Sequence, residues 1–162
     1  MPSDYELVRE FTSESTGVPT PLVPEPMTRD EVFFLMRMMI DEIVELGATV
    51  AQPEIVKYEM IKYVTESKYI PMSKNTGPAL IAEQADALID PYYYSLNACA
   101  KKGINISSMF LLVHQANMNK RDPVTKKFIK RYDGKIMKPE GWKEPDLVSE
   151  VIRQSKSVED PE

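Results

Sequence analysis

Residues 28–47 read TRDEVFFLMRMMIDEIVELG, and this stretch decides the fold class. Thr28 followed three residues later by Glu31 has the spacing of a capping box, a signal for the start of a helix. After it, apolar residues recur at intervals of three or four, the period of one face of a helix. These residues are Val32, Leu35, Met36, Met39, Ile40, Ile43 and Val44. The pattern predicts an α-helix that ends near Gly47.

Similar signals along the chain predict further helices and few strands. Only six glycines occur, and Met, Leu, Ala, Glu and Lys are frequent, which favours helices. We expect an extended proline-rich connector over 17–26, a kink or break at Pro91, and a two-stranded ribbon near 128–137. The predicted helices span residues 4–12, 28–47, 53–66, 78–103 and 106–119. The expected fold class is all-α, with four or five helices and an irregular basic C-terminal arm.

The length and composition fit one domain. The chain has 162 residues, of which 43% are hydrophobic and 28% charged, and a domain usually has about 100–200 residues. Residues 1–27 are expected to form a short helix and the connector, and residues 148–162 a flexible tail. The sequence shows neither a membrane span nor a signal peptide. We therefore expect no membrane partner and a cytoplasmic location.

The cysteine and histidine counts limit the chemistry. Cys99 is the single cysteine and His114 the single histidine, so a zinc site built on several cysteines is excluded. An internal disulfide is excluded as well. Any metal ion must be held by oxygen ligands.

The charge is distributed unevenly. Residues 120–143, here called the basic arm, contain nine Lys or Arg against three acids, although the whole chain carries a net charge of -5. One interpretation is a solvated surface segment. The other is that the basic arm and the acidic remainder meet at one polyanionic substrate. Nucleic acid is a weak candidate, because few aromatic residues are interleaved with the basic run.

Two predicted helices carry carboxylates among apolar neighbours. Glu42 and Glu45 are three residues apart in the first, with Asp41 beside them, and Glu83 and Asp86 are three apart in the other. Such residues lie side by side on a helix, and carboxylate oxygens are the ligands that Mg²⁺ prefers. A magnesium site is one interpretation, and an ordinary solvated acidic face is the other.

Three stretches together resemble a known family. They are DEIVEL at 41–46, EQADALID at 83–90, and HQANMNKRDPVTKKFIKRYDGKIMKPEGWKEPDL at 114–147. The first two are similar to the ExxE and ExxD signature of the all-α NTP pyrophosphatases, the superfamily of MazG, dimeric dUTPases and phosphoribosyl-ATP pyrophosphohydrolase. The third resembles the C-terminal part of its MazG-like, phosphoribosyl-ATP pyrophosphohydrolase-like branch. The resemblance spans Val8 to Leu147 and implies a MazG-like helical bundle.

The resemblance also implies a set of site residues. Glu42, Glu45, Glu83 and Asp86 match the metal ligands for Mg²⁺, with Mn²⁺ as an alternative. Asp41 and Glu42 match the catalytic positions. At the position of Asp41, relatives often have a Glu that binds an additional metal ion or orders the attacking water. Pro91 departs from the unbroken helix of relatives. The residues implied to contact substrate are Tyr94, His114, Asn117, Lys120 and Lys138.

Some of these residues have a second interpretation. His114 is as readily explained by capping or packing, and Tyr94 by aromatic packing within the run Tyr92, Tyr93 and Tyr94. Trp142 covers either the site or a neighbouring subunit, and the sequence does not choose between them.

The activity implied by the resemblance is Mg²⁺-dependent hydrolysis of a nucleoside triphosphate to its monophosphate and pyrophosphate. The expected role is removal of unwanted nucleotides by a homodimer or homotetramer. An alternative hypothesis for the enzyme activity is that of a phosphoribosyl-ATP pyrophosphohydrolase, which shares the metal site. A further alternative is a non-catalytic nucleotide-binding or scaffold protein, which the departures at Asp41 and Pro91 favour and the four retained ligand positions disfavour.

Overall fold

The computed structural model describes residues 2–156, and over this range the protein is all-helical. Its regular elements are α1 Asp4–Thr16, α2 Arg29–Ala48, α3 Pro53–Glu66, α4 Gly77–Ala100, α5 Ile106–Met118 and α6 Leu147–Lys156. The only β pairing in this range consists of two isolated antiparallel bridges, Arg121 with Phe128 and Lys130 with Ile136. The expected all-α class is confirmed. The ribbon expected near 128–137 is reduced to one bridge.

Capping boxes start the first two helices. In α2 the side chain of Thr28 accepts from the backbone N–H of Glu31, and the Glu31 carboxylate accepts from the backbone N–H of Thr28, as the sequence predicted. Ser3 and Glu6 form the same arrangement at α1. That helix ends at Gly17, whose φ of 70° places it in the left-handed region. It is therefore four residues longer than predicted.

Helix α4 runs through Pro91 without interruption. Of the kink or break expected there, the break is absent, and the kink stays a prediction. A proline inside a helix removes one backbone hydrogen bond, and the adjoining turns remain helical despite that loss.

By the contacts among its residues, the chain forms two compact units. The middle unit comprises Val23–Leu88, and the terminal unit comprises the residues up to Leu22 together with those from Ile89 onward. In the middle unit α2 packs on α3. The contact is tight at Gly47, where a Cβ atom would lie 2.7 Å from Cγ1 of Val56.

In the terminal unit α5 packs on both α1 and α6. The rings of Phe11 and Phe128 meet edge to face, with centroids 5.3 Å apart. The basic arm is otherwise turn-rich, as the sequence predicted.

Helix α6 corrects one expectation. Residues 148–156 were expected to begin a flexible tail, yet they belong to the helix Leu147–Lys156. The carboxylate of Glu150 accepts hydrogen bonds from Ser108 and from Arg153, and the Gln154 amide group pairs with the backbone of Asn105. The bonds to Ser108 and Asn105 hold α6 against α5, whereas Arg153 lies within α6 itself. The remainder of the expected tail, residues 157–162, lies outside the described range.

Among residues 2–156, the buried apolar side chains are Val56 and Ala116. Many large apolar side chains on α2, α3 and α4 are exposed. No helix in the described range is both long and apolar enough to cross a lipid bilayer.

Candidate functional site

The first acidic group lies near the end of α2. Asp41, Glu42 and Glu45 are all exposed there. Glu42 and Glu45 occupy adjacent turns of the helix, so their carboxylates can approach one another from the same side. This part of α2 directly precedes the close contact of Gly47 with Val56, which fixes the end of the helix against α3.

The second acidic group lies in the part of α4 that belongs to the middle unit. Glu83 accepts hydrogen bonds from the hydroxyl of Ser73 and, at 2.9 Å, from the amide of Asn75. These two bonds, with Ser73 the larger influence, hold the pKa of the Glu83 carboxyl below its usual value. Glu83 is therefore ionised at neutral pH, and the loop before α4 holds its carboxylate in place. Asp86 lies one turn later and, like Glu83, is exposed.

A neighbouring residue joins α4 to the start of α2. The side-chain amide of Gln84 accepts from the backbone N–H of Met27 at 2.8 Å and donates to the Met27 carbonyl at 3.0 Å. Met27 immediately precedes the N-cap of α2. Ser73, Asn75 and Gln84 were not predicted from the sequence, because their roles depend on tertiary contacts. The polar loop before Pro78, with residue types common at helix starts, was the available signal.

The chemistry of these carboxylates suits magnesium. Mg²⁺ takes oxygen ligands, and one or two carboxylates together with substrate phosphates commonly suffice. Hydrogen bonds to a carboxylate, such as those at Glu83, are a frequent feature around metal ligands. Within residues 2–156, however, no three acidic, His or Cys side chains gather as a metal-holding group. The ligand set Glu42, Glu45, Glu83 and Asp86 therefore stays a prediction.

The expected substrate-binding residues all lie in the terminal unit. Lys120 and Lys138 come together there, with their ammonium groups 5.5 Å and 4.3 Å from the ring centroid of Trp142. Asn117 is half-buried in the last turn of α5, where its carbonyl accepts from the backbone N–H of Lys120. Tyr94 lies on α4 and is exposed.

His114 lines an open cavity of about 430 Å³ at the end of α5. A second cavity, of about 330 Å³, borders Trp142 and Lys143. Asn119 and Arg121 line both. Arg121 is held by the carboxylate of Glu14 on α1. No role was predicted for Asn119 or Arg121 from the sequence, although the position of Arg121 in the basic arm was a signal for anion binding.

The terminal unit thus offers cationic and amide groups beside two open cavities, which suits a phosphorylated ligand. The middle unit offers carboxylates on two helices, one of them held by a polar loop. The contacts described for the carboxylates all lie within the middle unit, and those described for the cationic and amide groups all lie within the terminal unit.

Comparison with known proteins gives a match among solved structures. The chain is similar to a crystal structure, at 1.78 Å resolution, of a “putative NTP pyrophosphohydrolase” from Exiguobacterium sp. 255-15. The two are 26% identical, the match covers 97% of this chain and 98% of that one, and the TM-score is 0.71. No protein-family model matches the chain, and no curated protein does. The chain therefore has an NTP pyrophosphohydrolase-like fold.

Proposed function

We propose that the protein is a Mg²⁺-dependent nucleoside triphosphate pyrophosphohydrolase of the MazG-like superfamily that clears unwanted nucleotides in the cytoplasm. The observation that carries the proposal is the similarity, over nearly the full length of both chains, to the Exiguobacterium structure. Two carboxylate pairs at a spacing of three residues support it. The pairs support a resident metal ion, and the name of the similar Exiguobacterium protein supports a nucleoside triphosphate substrate.

In the proposed reaction, a bond forms between a water oxygen and the α-phosphorus of the nucleotide. The bond from that phosphorus to the bridging oxygen breaks, and pyrophosphate leaves. When bound by Glu42, Glu45, Glu83 and Asp86, Mg²⁺ would neutralise phosphate charge and lower the pKa of a bound water. Asp41 and Glu42 orient the attacking water, and the carboxylate of Asp41, which lies outside the proposed ligand set, accepts its proton.

Residues of the terminal unit bind the charged substrate. The ammonium groups of Lys120 and Lys138 attract phosphate oxygens as point charges. Asn117 and His114 supply hydrogen-bonding groups, and Tyr94 an aromatic hydroxyl. No covalent intermediate with the protein is required.

Pyrophosphate release from a panel of ribo- and deoxyribonucleoside triphosphates tests this proposal. We expect release from a subset with Mg²⁺, weaker or equal release with Mn²⁺, and none with EDTA. No release from any member by the folded protein would contradict the proposal. It would favour either phosphoribosyl-ATP as substrate or a non-catalytic binding role.

A matched pair of variants sharpens the test. Glu42→Gln removes the charge of a proposed metal ligand and is expected to abolish turnover. Because Glu42 is exposed, the substitution should change the stability of the protein little. Glu66→Gln makes the same chemical change at an exposed position at the end of α3 and should leave turnover unchanged. Normal turnover by Glu42→Gln would remove this residue from the site.

We also propose that the protein assembles as a homodimer or homotetramer in which a second copy covers α2. Four apolar residues at helical spacing on α2 are about half exposed: Phe33 at 53%, Met36 at 51%, Ile40 at 45% and Ile43 at 54%. A continuous apolar face of this kind usually marks an interface. A matching face on an identical chain would cover it symmetrically.

Light scattering coupled to size-exclusion chromatography measures the assembly. We expect the mass of two or four chains for the unmodified protein and a smaller mass for Ile40→Glu. Circular dichroism checks that the variant stays helical. A single-chain mass for the unmodified protein would overturn the assembly.

A further inference from the structure

Trp142 is tied to the end of α5. Its indole N–H donates a hydrogen bond of 2.7 Å to the carbonyl of Ala116. That carbonyl is among the last four of α5, which have no partner within a regular helix. Ala116 is also one of the buried residues. The indole ring therefore has a fixed position relative to α5.

The ammonium groups of two lysines lie over the fixed indole ring. The ammonium group of Lys138 lies 4.3 Å from the ring centroid and that of Lys120 lies 5.5 Å from it. Two like charges repel each other, and the negative face of an indole offsets part of this repulsion. Lys138 also pairs with Glu144 at 3.5 Å, but both side chains are largely exposed, so this pair contributes little.

The ring also forms part of a cavity wall. Trp142 and Lys143 line the cavity of about 330 Å³ together with Asn119 and Arg121. Arg121 is oriented by Glu14, which accepts from its Nε at 2.9 Å. Two cationic side chains, Arg121 and Lys143, thus border this open space, together with the carboxylate of Glu140. Lys120 and Lys138 lie by the indole ring next to it, so positive groups outnumber negative ones here, which favours an anion with several charges.

We propose that Trp142 is a positioning residue, whose anchored indole holds Lys120 and Lys138 where they bind the polyphosphate chain of a nucleotide beside this cavity. The proposal rests on the proposed function for the identity of the ligand. The tryptophan acts through the lysines and contributes no chemistry of its own. Its two properties, the N–H and the aromatic face, have separable effects.

Substitutions at position 142 separate them. Trp142→Phe keeps an aromatic face but loses the hydrogen bond to Ala116, whereas Trp142→Leu loses both. We expect tripolyphosphate affinity to fall about fivefold to tenfold in Trp142→Leu, the size expected for loss of two cation–π contacts. The loss in Trp142→Phe should be smaller. Tyr132→Leu is the matched control, because Tyr132 is an almost fully exposed aromatic residue of the basic arm.

The measurement is isothermal titration of the full chain with inorganic tripolyphosphate in EDTA at fixed low salt. Trp142 is the only tryptophan, so its fluorescence reports binding independently in the unmodified protein. Both methods should give the same dissociation constant. Because neither requires turnover or metal, failure of the hydrolase proposal leaves this result interpretable.

A double-mutant cycle with Lys138→Gln distinguishes positioning from a general structural effect. If Trp142 acts through both lysines, Trp142→Leu costs less tripolyphosphate affinity in the Lys138→Gln background than in the unmodified protein, because only the contribution through Lys120 is left to lose. If the two losses simply add, the residues are independent and the proposal fails. Should Trp142→Leu not fold, the same cycle with Trp142→Phe decides. Unchanged affinity in a folded Trp142→Leu variant would also overturn the proposal.

Turnover gives a second readout where hydrolysis is observed. Loss of phosphate binding that is shared by the ground state and the transition state raises KM and leaves kcat unchanged. We expect this split in Trp142→Leu. A fall in kcat with unchanged KM would contradict the role.

Discussion

The terminal unit joins distant parts of the sequence through polar side chains, whereas the middle unit depends more on helix packing and a short polar loop. In the terminal unit, Glu14 meets Arg121, and Trp142 meets Ala116. In the middle unit, Gly47 lies against Val56 and the loop at Ser73 holds Glu83. The difference indicates that the basic groups are placed by individual pairs, and the acidic groups by the helices that carry them.

The largest stability effect should come from the helix contact of the middle unit. Gly47→Ala is expected to lower the free energy of unfolding by about 1–3 kcal/mol, the usual cost of overpacking. Replacing glycine by alanine in a helix interior normally stabilises the helix by about 1 kcal/mol. A decrease in the free energy of unfolding of Gly47→Ala would therefore indicate that the contact with Val56 is overpacked. Urea unfolding followed by circular dichroism measures the change.

The control for this prediction is the Val56→Ala background. Removing the two Cγ atoms makes room for a Cβ at position 47, so Gly47→Ala should no longer destabilise the protein there. Equal destabilisation in both backgrounds would mean that the contact is not the cause.

The next effect concerns the polar loop of the same unit. Ser73→Ala removes a hydrogen bond to Glu83, and loss of such a partner of a metal ligand typically costs about 10-fold to 100-fold in affinity. We expect the Mg²⁺ concentration for half-maximal pyrophosphate release to rise about tenfold. Because this bond lowers the pKa of Glu83, the acid limb of the rate profile should move to higher pH.

Ser67→Ala is the matched control for that variant. Ser67 donates to the backbone carbonyl of Val64 at the end of α3. Its loss should leave the magnesium requirement unchanged. An unaltered requirement in Ser73→Ala as well would separate Glu83 from metal binding.

A smaller effect is expected for the pair Glu14 and Arg121 in the terminal unit. Both side chains are partly exposed, so Arg121→Gln should cost about 0.5–1 kcal/mol. Thermal unfolding at low and high salt measures it, and salt should reduce the difference. Arg131→Gln removes a pair with Asp133 only two residues away and should cost less. Equal costs would mean that the long-range pair Glu14 and Arg121 stabilises the terminal unit no more than a local pair does.

The smallest effect should be the pH dependence of α6. Hydrogen bonds from Arg153, then Ser108 and Gln154, lower the pKa of Glu150 below its usual 4.5. The carboxylate therefore stabilises the folded state above pH 4.5, and this contribution is lost as the pH falls through the folded-state pKa. Melting temperatures at pH 7 and pH 3 should differ more in the unmodified protein than in Glu150→Gln.

Local signals in the sequence predicted much of the helical structure. The limits of α3 agree with the prediction because Pro53 supplies a start at the first helical position. The start of α2 agrees because Thr28 and Glu31 interact within one turn. Helix α6 was missed because the partners of Glu150 and Gln154, Ser108 and Asn105, lie 42 and 49 residues away in the sequence.

The candidate site was predictable only in part. Helical spacing identifies Glu42 with Glu45 and Glu83 with Asp86 as neighbours. It does not show whether the two pairs lie close enough to bind one metal ion. The position of Trp142 between two lysines depends on the path of the basic arm, which is built from turns. The sequence left the role of this residue open for that reason.

The double hydrogen bond of Gln84 with Met27 sets the register of one helix relative to another. A carboxamide both donates and accepts, so it can satisfy the N–H and the carbonyl of a single residue. A shift of α4 by one residue would turn this side chain away by about 100°, the angle between successive helical residues, and would break both bonds together. The two hydrogen bonds thereby fix the axial position of Glu83 and Asp86 relative to the first turn of α2.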